Sequence, residues 1–248
     1  MIATSTGSEP IAPVYDGTSE QNSQEKQDEL DLPFAAAYDL IQRPFSRPLD
    51  TVCPPPPAEL SPDQQLKYDM VLKTVSAWVT VPTTSAKNSP EEHITDDECM
   101  FLSRECLLRY LRATKWDINE ASARLKGTLT WRREYGIRML TPDFISIENE
   151  TGKDVLLGYD IHGRPCLYMM PKNQNTEVSD RQMQHLVFML ERTIDLMGPD
   201  QETLAIVINF DETKSGQGGT IGQVKQTLNI LQYHYPERLG RAFVINSE

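Results

Sequence analysis

The chain has 248 residues, 39% of them hydrophobic, enough to fill one large domain with extensions to spare. Its formal charge is −12, and the first sixty residues hold ten acids against three bases. That balance excludes a nucleic-acid partner, which needs clustered Lys and Arg, and no apolar run approaches the ~18 residues that cross a bilayer.

Residues 1–57 are rich in Ser, Thr, Gln, Asp and Glu and close on "CPPPP", so they read as a disordered acidic leader ending in a stiff spacer. Order begins at "SPDQ", where Ser61 is an N-cap, Pro62 the first helical residue and Gln64 the capping-box partner. Leu66, Met70, Val75 and Trp78 continue an apolar stripe to about residue 80, and 82–94 reads as a polar loop. The acids opening "TDDECMFLSRECLLRYLRATKWD" (95–117) suit the start of one or two short helices. A clearer helix follows over 117–136, capped by Asp117 with Glu120, with Ile118, Ala121, Leu125 and Leu129 on one face and Gly136 as its stop.

The period then changes. "DVLLGYD" (154–160) and "PCLYMM" (165–170) read as a hairpin around "IHGR". Residues 179–198 form an amphipathic helix with Ser179 and Gln182 as caps and Met183, Leu186, Leu190, Ile194 and Met197 on its face. "LAIVINF" (204–210) is apolar throughout, which predicts a strand buried on both sides. A Gly-rich turn leads to a helix with Ile221, Val224, Leu228 and Leu231 on its face, and "RAFVIN" (241–246) is the next strand. Strand, helix and strand predict a parallel βαβ unit. The class is α/β: an all-helical lobe over 58–138, then a parallel or mixed sheet lobe with flanking helices over 139–248.

Catalytic signals are weak. "SGQGGT" (215–220) lacks both phosphate-loop and dinucleotide spacings. His162 and Cys166 flank a turn without an orienting group, and Asp211 and Glu212 read as solvated acids. His93, His162, His185 and His234 share no metal spacing. Cys53, Cys99, Cys106 and Cys166 form no CxxC pair, which predicts free thiols in a reducing, intracellular compartment. Neither an enzyme nor a metal or cofactor is expected.

Three segments carry a stronger signal in combination: "LLRYLRATKWD", "DIHGRP" and "YPERLG". In this order they resemble the CRAL-TRIO lipid-exchange family, and within it the fungal phosphatidylinositol transfer proteins, over about residues 95–246. The resemblance implies a helical lobe and a sheet lobe enclosing an apolar pocket floored by "LAIVINF" and "AFVIN". The family's headgroup glutamate falls on Glu237, and Thr114, beside Lys115, stands where the family has a phosphate-binding arginine. An alignment without gaps puts Leu156, Leu167, Leu204 and Ile206, with Ile208, in the pocket, the first four replacing hydroxyls that hold phosphatidylcholine. The implied function is binding of phosphatidylinositol and its transfer between membranes without phosphatidylcholine, with a sterol left open as second ligand. The protein would be cytoplasmic, would touch membrane surfaces peripherally and transiently, and could have a lipid kinase as client. Alternatives are a lipid-sensing adaptor that presents phosphatidylinositol or a sterol without bulk transfer, and a binder of retinoid- or tocopherol-like molecules. The resemblance also places a gating helix and a headgroup lysine after "RAFVIN", so the chain is expected to stop within the domain and to expose apolar sheet surface.

Overall fold

The computed structural model describes residues 47, 48, 52, 54, 56 and 59–247. The leader expected over 1–57 therefore lies outside the described residues at all but five positions. Helix α1 (Pro62–Ser76) begins with the expected capping box, Ser61 Oγ accepting from the Gln64 amide and the Gln64 side chain accepting from the Ser61 amide. The segment expected as a polar loop instead contains an antiparallel ribbon, β1 (Thr80–Pro82) with β2 (Glu91–His93). Too short to show a period, the ribbon is pinned from outside: Arg133 donates to the carbonyls of Val81 (2.6 Å) and His93 (2.9 Å).

Two short helices follow, α2 (Asp96–Phe101) and α3 (Arg104–Ala113), then α4 (Ile118–Tyr135). Asp117 accepts from the Glu120 amide at 2.8 Å, and Gly136 ends α4 in the left-handed conformation, φ 73°, that a residue with a Cβ adopts only at a cost. Val71 and Val75 of α1, Leu107 and Leu111 of α3, and Ala121 and Leu125 of α4 form the core of this helical part.

The second part starts with the single turn α5 (Ser146–Asn149). It continues through β3 (Asp154–Tyr159), β4 (Pro165–Met169), α6 (Asp180–Asp195), β5 (Leu204–Asn209), α7 (Ile221–His234) and β6 (Leu239–Ile245). The sheet runs β3-β4-β5-β6, antiparallel between β3 and β4 and parallel beyond, so the expected βαβ unit is β5-α7-β6. At the entrance to β3 the buried Lys153 ammonium donates to Glu148, whose carboxylate also accepts from Thr176 at 2.8 Å. These partners satisfy charges that would be costly to bury alone.

Three details differ from the expectations. Ser179 occupies the N-cap of α6 without a capping bond, and the Gln182 amide donates instead to the Thr176 and Glu177 carbonyls. In β5 only Leu204, Ala205 and Ile206 are buried, and Val207 to Asn209 are half-buried. On α7, Ile221, Val224 and Leu228 are exposed, Ile221 by 78%, and the core contacts come from Ile230 and Leu231. Helical spacing identifies an apolar ridge but not what covers it.

Arg133 also forms a bidentate pair with Glu98 at 2.6 and 2.8 Å, tying α4 to α2. Burial alone would raise the Glu98 pKa, but the bonds from Arg133 and Thr95 outweigh it and hold the carboxyl down at about 2, from an ordinary 4.5. A pKa depressed in the folded state stabilises fully above 4.5 and loses that contribution as pH falls toward 2. Arg133→Met should therefore cost about 2 kcal/mol at neutral pH, less than a fully buried pair because both side chains keep some solvent contact. Chemical denaturation should show the cost shrinking between pH 4.5 and pH 2.

Candidate functional site

Register decides which side chains can meet a ligand. Leu156 pairs with Leu167, and Leu167 with Ile206, so the three form one row across the sheet. Leu204 and Ile208 lie two residues either side of Ile206 and share its face. All five expected pocket residues thus come together, but they pack with Met183, Leu186, Val187 and Leu190 of α6 in one core cluster. They fill the space between the sheet and α6, on the face that the helix covers. The opposite face carries the row Val155, Tyr168, Val207 and Phe243, with Ile245 one step on. None of these belongs to either core cluster, and Phe243 is 49% exposed. A shift of one residue exchanges the two faces, and a gapless alignment through strands that are apolar at nearly every position does not reveal the shift.

The three expected headgroup residues are placed differently from one another. Glu237 sits in the turn between α7 and β6, exposed, with φ 60° and no ion pair among the described residues. Lys115 is exposed in the turn after α3, with φ 52°. Thr114 is buried, and its hydroxyl is directed to the carbonyls of Tyr110 (2.9 Å), Leu111 and Asp117 (both 3.3 Å). A hydroxyl so engaged satisfies carbonyls at the end of the helix. Cys166 is no better suited to chemistry: burial pushes its thiol up to about 11, and its bond is to the Arg164 carbonyl. Among the described residues no cluster of His, Cys, Asp and Glu could hold a metal ion.

A polar seam that the sequence did not disclose joins the two parts of the fold. Arg132 of α4 and Glu191 of α6 form a bidentate pair, both bonds 2.8 Å, and the Tyr235 hydroxyl donates to the same carboxylate at 2.6 Å. Burial tends to raise the Glu191 pKa, but the Arg132 bonds and charge bring it below the ordinary range. Tyr110 of α3 donates to Thr128 (2.8 Å) and to the His234 carbonyl (3.2 Å). The His234 ring stacks on Trp131 at 4.0 Å, and burial followed by the charges of Arg124 and Arg132 lowers its pKa to about 4, so it is neutral at pH 7. Arg109 is also drawn inward, only 5% exposed. The available signal was an arginine inside a run whose neighbours Leu107, Leu108, Tyr110 and Leu111 are all buried.

The three diagnostic segments meet in space. Tyr110 of "LLRYLR" bonds the backbone just before "YPER". Arg164 of "DIHGRP" lies across the start of β5, bonded to Thr203 (2.9 Å) and Asp160 (3.1 Å), and against Gly240 of "YPERLG". A Cβ at Gly240 would fall 2.5 Å from Arg164 Nε and 2.7 Å from Thr203 Oγ1. The CRAL/TRIO domain profile matches residues 149–247, and that of the CRAL/TRIO N-terminal domain matches 67–127. The chain belongs to the CRAL-TRIO family.

Its relatives include a CRAL-TRIO domain-containing protein of Schizosaccharomyces pombe, 49% identical over 199 residues, which cover 79% of this chain and 20% of that protein. Phosphatidylinositol transfer protein PDR17 of Saccharomyces cerevisiae is 36% identical over 226 residues, covering 80% of this chain and 65% of the relative. The chain thus spans less than two thirds of both. The crystal structure of Sfh5 shares the CRAL-TRIO fold, with a TM-score of 0.50 at 13% identity, covering 77% of this chain and 73% of that one.

The face assignment can be measured in this CRAL-TRIO chain. Leu167→Ala should cost about 2–5 kcal/mol, as for a fully buried leucine, whereas Phe243→Ala should cost no more than about 1 kcal/mol. Urea denaturation of both variants gives the comparison, and the reverse order would return Leu167 to the ligand side.

Proposed function

We propose that the chain binds a phospholipid, phosphatidylinositol foremost, against the open face of its sheet and carries it between membranes. The observation that carries this reading is an apolar sheet face (Val155, Tyr168, Val207, Phe243) whose last strand, β6, is entered from a turn carrying Glu237, exposed and without an ion pair among the described residues. Lifting a lipid out of a bilayer forfeits about 0.8 kcal/mol per methylene, which only a comparably apolar surface can replace. An inositol ring adds hydroxyl donors, and an ionised carboxylate accepts hydrogen bonds only. Relatives named as phosphatidylinositol transfer protein and as Sec14 cytosolic factor support the same reading. No described helix is long and apolar enough to cross a membrane, which fits a transient peripheral contact.

The exclusion of phosphatidylcholine loses its support, because Leu156, Leu167, Leu204 and Ile206 lie on the helix-packed face. Selectivity falls instead to the open face, where Tyr168 offers a hydroxyl, and to Glu237. A sterol as second ligand and a lipid kinase as client rest on the family resemblance alone.

The test is transfer of labelled phosphatidylinositol and phosphatidylcholine between vesicles. The unmodified chain should move phosphatidylinositol, and Phe243→Asp should lose at least about tenfold of that rate at unchanged melting temperature, through the cost of burying an unpaired charge against lipid. Glu237→Ala should reduce phosphatidylinositol transfer several-fold and leave phosphatidylcholine transfer as it was. Transfer of both lipids unaffected by Phe243→Asp would refute the open face as the binding surface, and binding without exchange would identify a lipid sensor.

A further inference from the structure

The polar seam encloses a cavity of ≈ 60 Å³, lined among others by Arg109, Tyr110, Arg132, Glu191, Tyr235 and Arg238. Its charges do not balance. Glu191 is spent on Arg132, bidentate, and also accepts from Tyr235. Glu202 pairs with Arg112 through its carboxylate and meets Arg238 through its backbone carbonyl at 2.9 Å. Four guanidiniums therefore share two carboxylates, and neither Arg109 nor Arg238 has an ion pair among the described residues. Glu105 lies within the electrostatic reach of Arg109 without pairing to it. The Cys106 thiol is the described partner of Arg109, and it is a weak one for a guanidinium. Burial first, and then the like charge of Arg109, bring Arg238 down to about 10 from an ordinary 12.5.

Buried charges are normally paired, since an uncompensated one costs several kcal/mol. Two guanidiniums facing one small space offer planar N–H forks that match a tetrahedral oxyanion. The Tyr110 and Tyr235 hydroxyls already donate elsewhere, so the donors left for a ligand are those of the arginines. We infer that this cavity is a binding site for a phosphate group, free or carried as a phosphomonoester, held between Arg109 of α3 and Arg238 of the turn into β6. The site is separate from the open sheet face and stands on the cavity rather than on the lipid reading. Because its two arginines come from different parts of the fold, an occupant would also tie the helical part to the sheet part.

The experiment follows thermal unfolding of the full chain with millimolar inorganic phosphate against sodium chloride at equal ionic strength. A parallel arm measures sedimentation with phosphatidylcholine vesicles containing or lacking phosphatidylinositol 4-phosphate. Phosphate should raise the melting temperature by several degrees more than chloride, as a ligand of the folded state alone does. Arg109→Gln and Arg238→Gln should abolish the rise, and Arg192→Gln, an exposed arginine on α6, should keep it. A response to the phosphoinositide vesicles alone, lost in the same two variants, would assign the same site to a lipid headgroup. Should the glutamine variants fail to fold, phosphorus NMR decides: broadening of the phosphate resonance by the unmodified chain, weaker with Arg238→Lys, supports the site. Equal responses to phosphate, both vesicle types and chloride, a response surviving both glutamine substitutions, or an unbroadened resonance would overturn it.

Discussion

The two-residue alternation of a β-strand allows each sheet residue one face, and here α6 claims one of the two faces. Once Met183, Leu186, Val187 and Leu190 pack onto the sheet, every second position of β4 and β5 belongs to the core. The remaining positions are what the molecule can offer to anything else. Strand β6 carries this to its limit: its neighbour β5 is buried at three positions, yet all seven of its own residues are exposed. The exposed apolar surface of the sheet therefore follows from the helix packing.

The helical part matters to that surface because of where it is attached. Its hydrogen bonds to the sheet part reach the end of α7: Tyr110 to the His234 carbonyl, Arg124 to the Gln232 carbonyl at 2.6 Å, Thr128 to the His234 ring at 3.1 Å. These partners immediately precede the turn that presents Glu237 outward and Arg238 inward. Neighbouring residues of opposite charge therefore face opposite surroundings, and the seam that orients the turn is polar because it must satisfy helix-end carbonyls as well as charges.

Much of this was legible from residue types at fixed spacing. Ser61 with Gln64, Asp117, and Gly136 with its positive φ marked helix ends because capping is local chemistry. Element types and the β5-α7-β6 unit followed from the change of period and from an unbroken apolar strand. That same unbroken strand concealed which of its faces is inside, since alternation carries information only where polar residues interrupt it. Hence Leu167 and Ile206, which pack against α6, were not told apart from Val207 and Phe243 on the other face, all four lying in segments read as lining the pocket. Ile221, Val224 and Leu228 have helical spacing and are exposed all the same. Arg109 was missed for a related reason: an arginine in a helix reads as a solvated face unless its partners, distant in sequence, are known.

The contact between Arg164 and Gly240 gives the family resemblance a physical content. "DIHGRP" and "YPERLG" lie some seventy-five residues apart, yet the guanidinium of the first occupies the space where a side chain of the second would be. Neither position is free to change alone: a methyl at 240 would displace Arg164 from Asp160 and Thr203, while a shorter residue at 164 would leave a void beside the glycine. Two motifs that look like independent signatures in the linear sequence are one steric condition stated twice, and in any set of related chains the two positions should vary together.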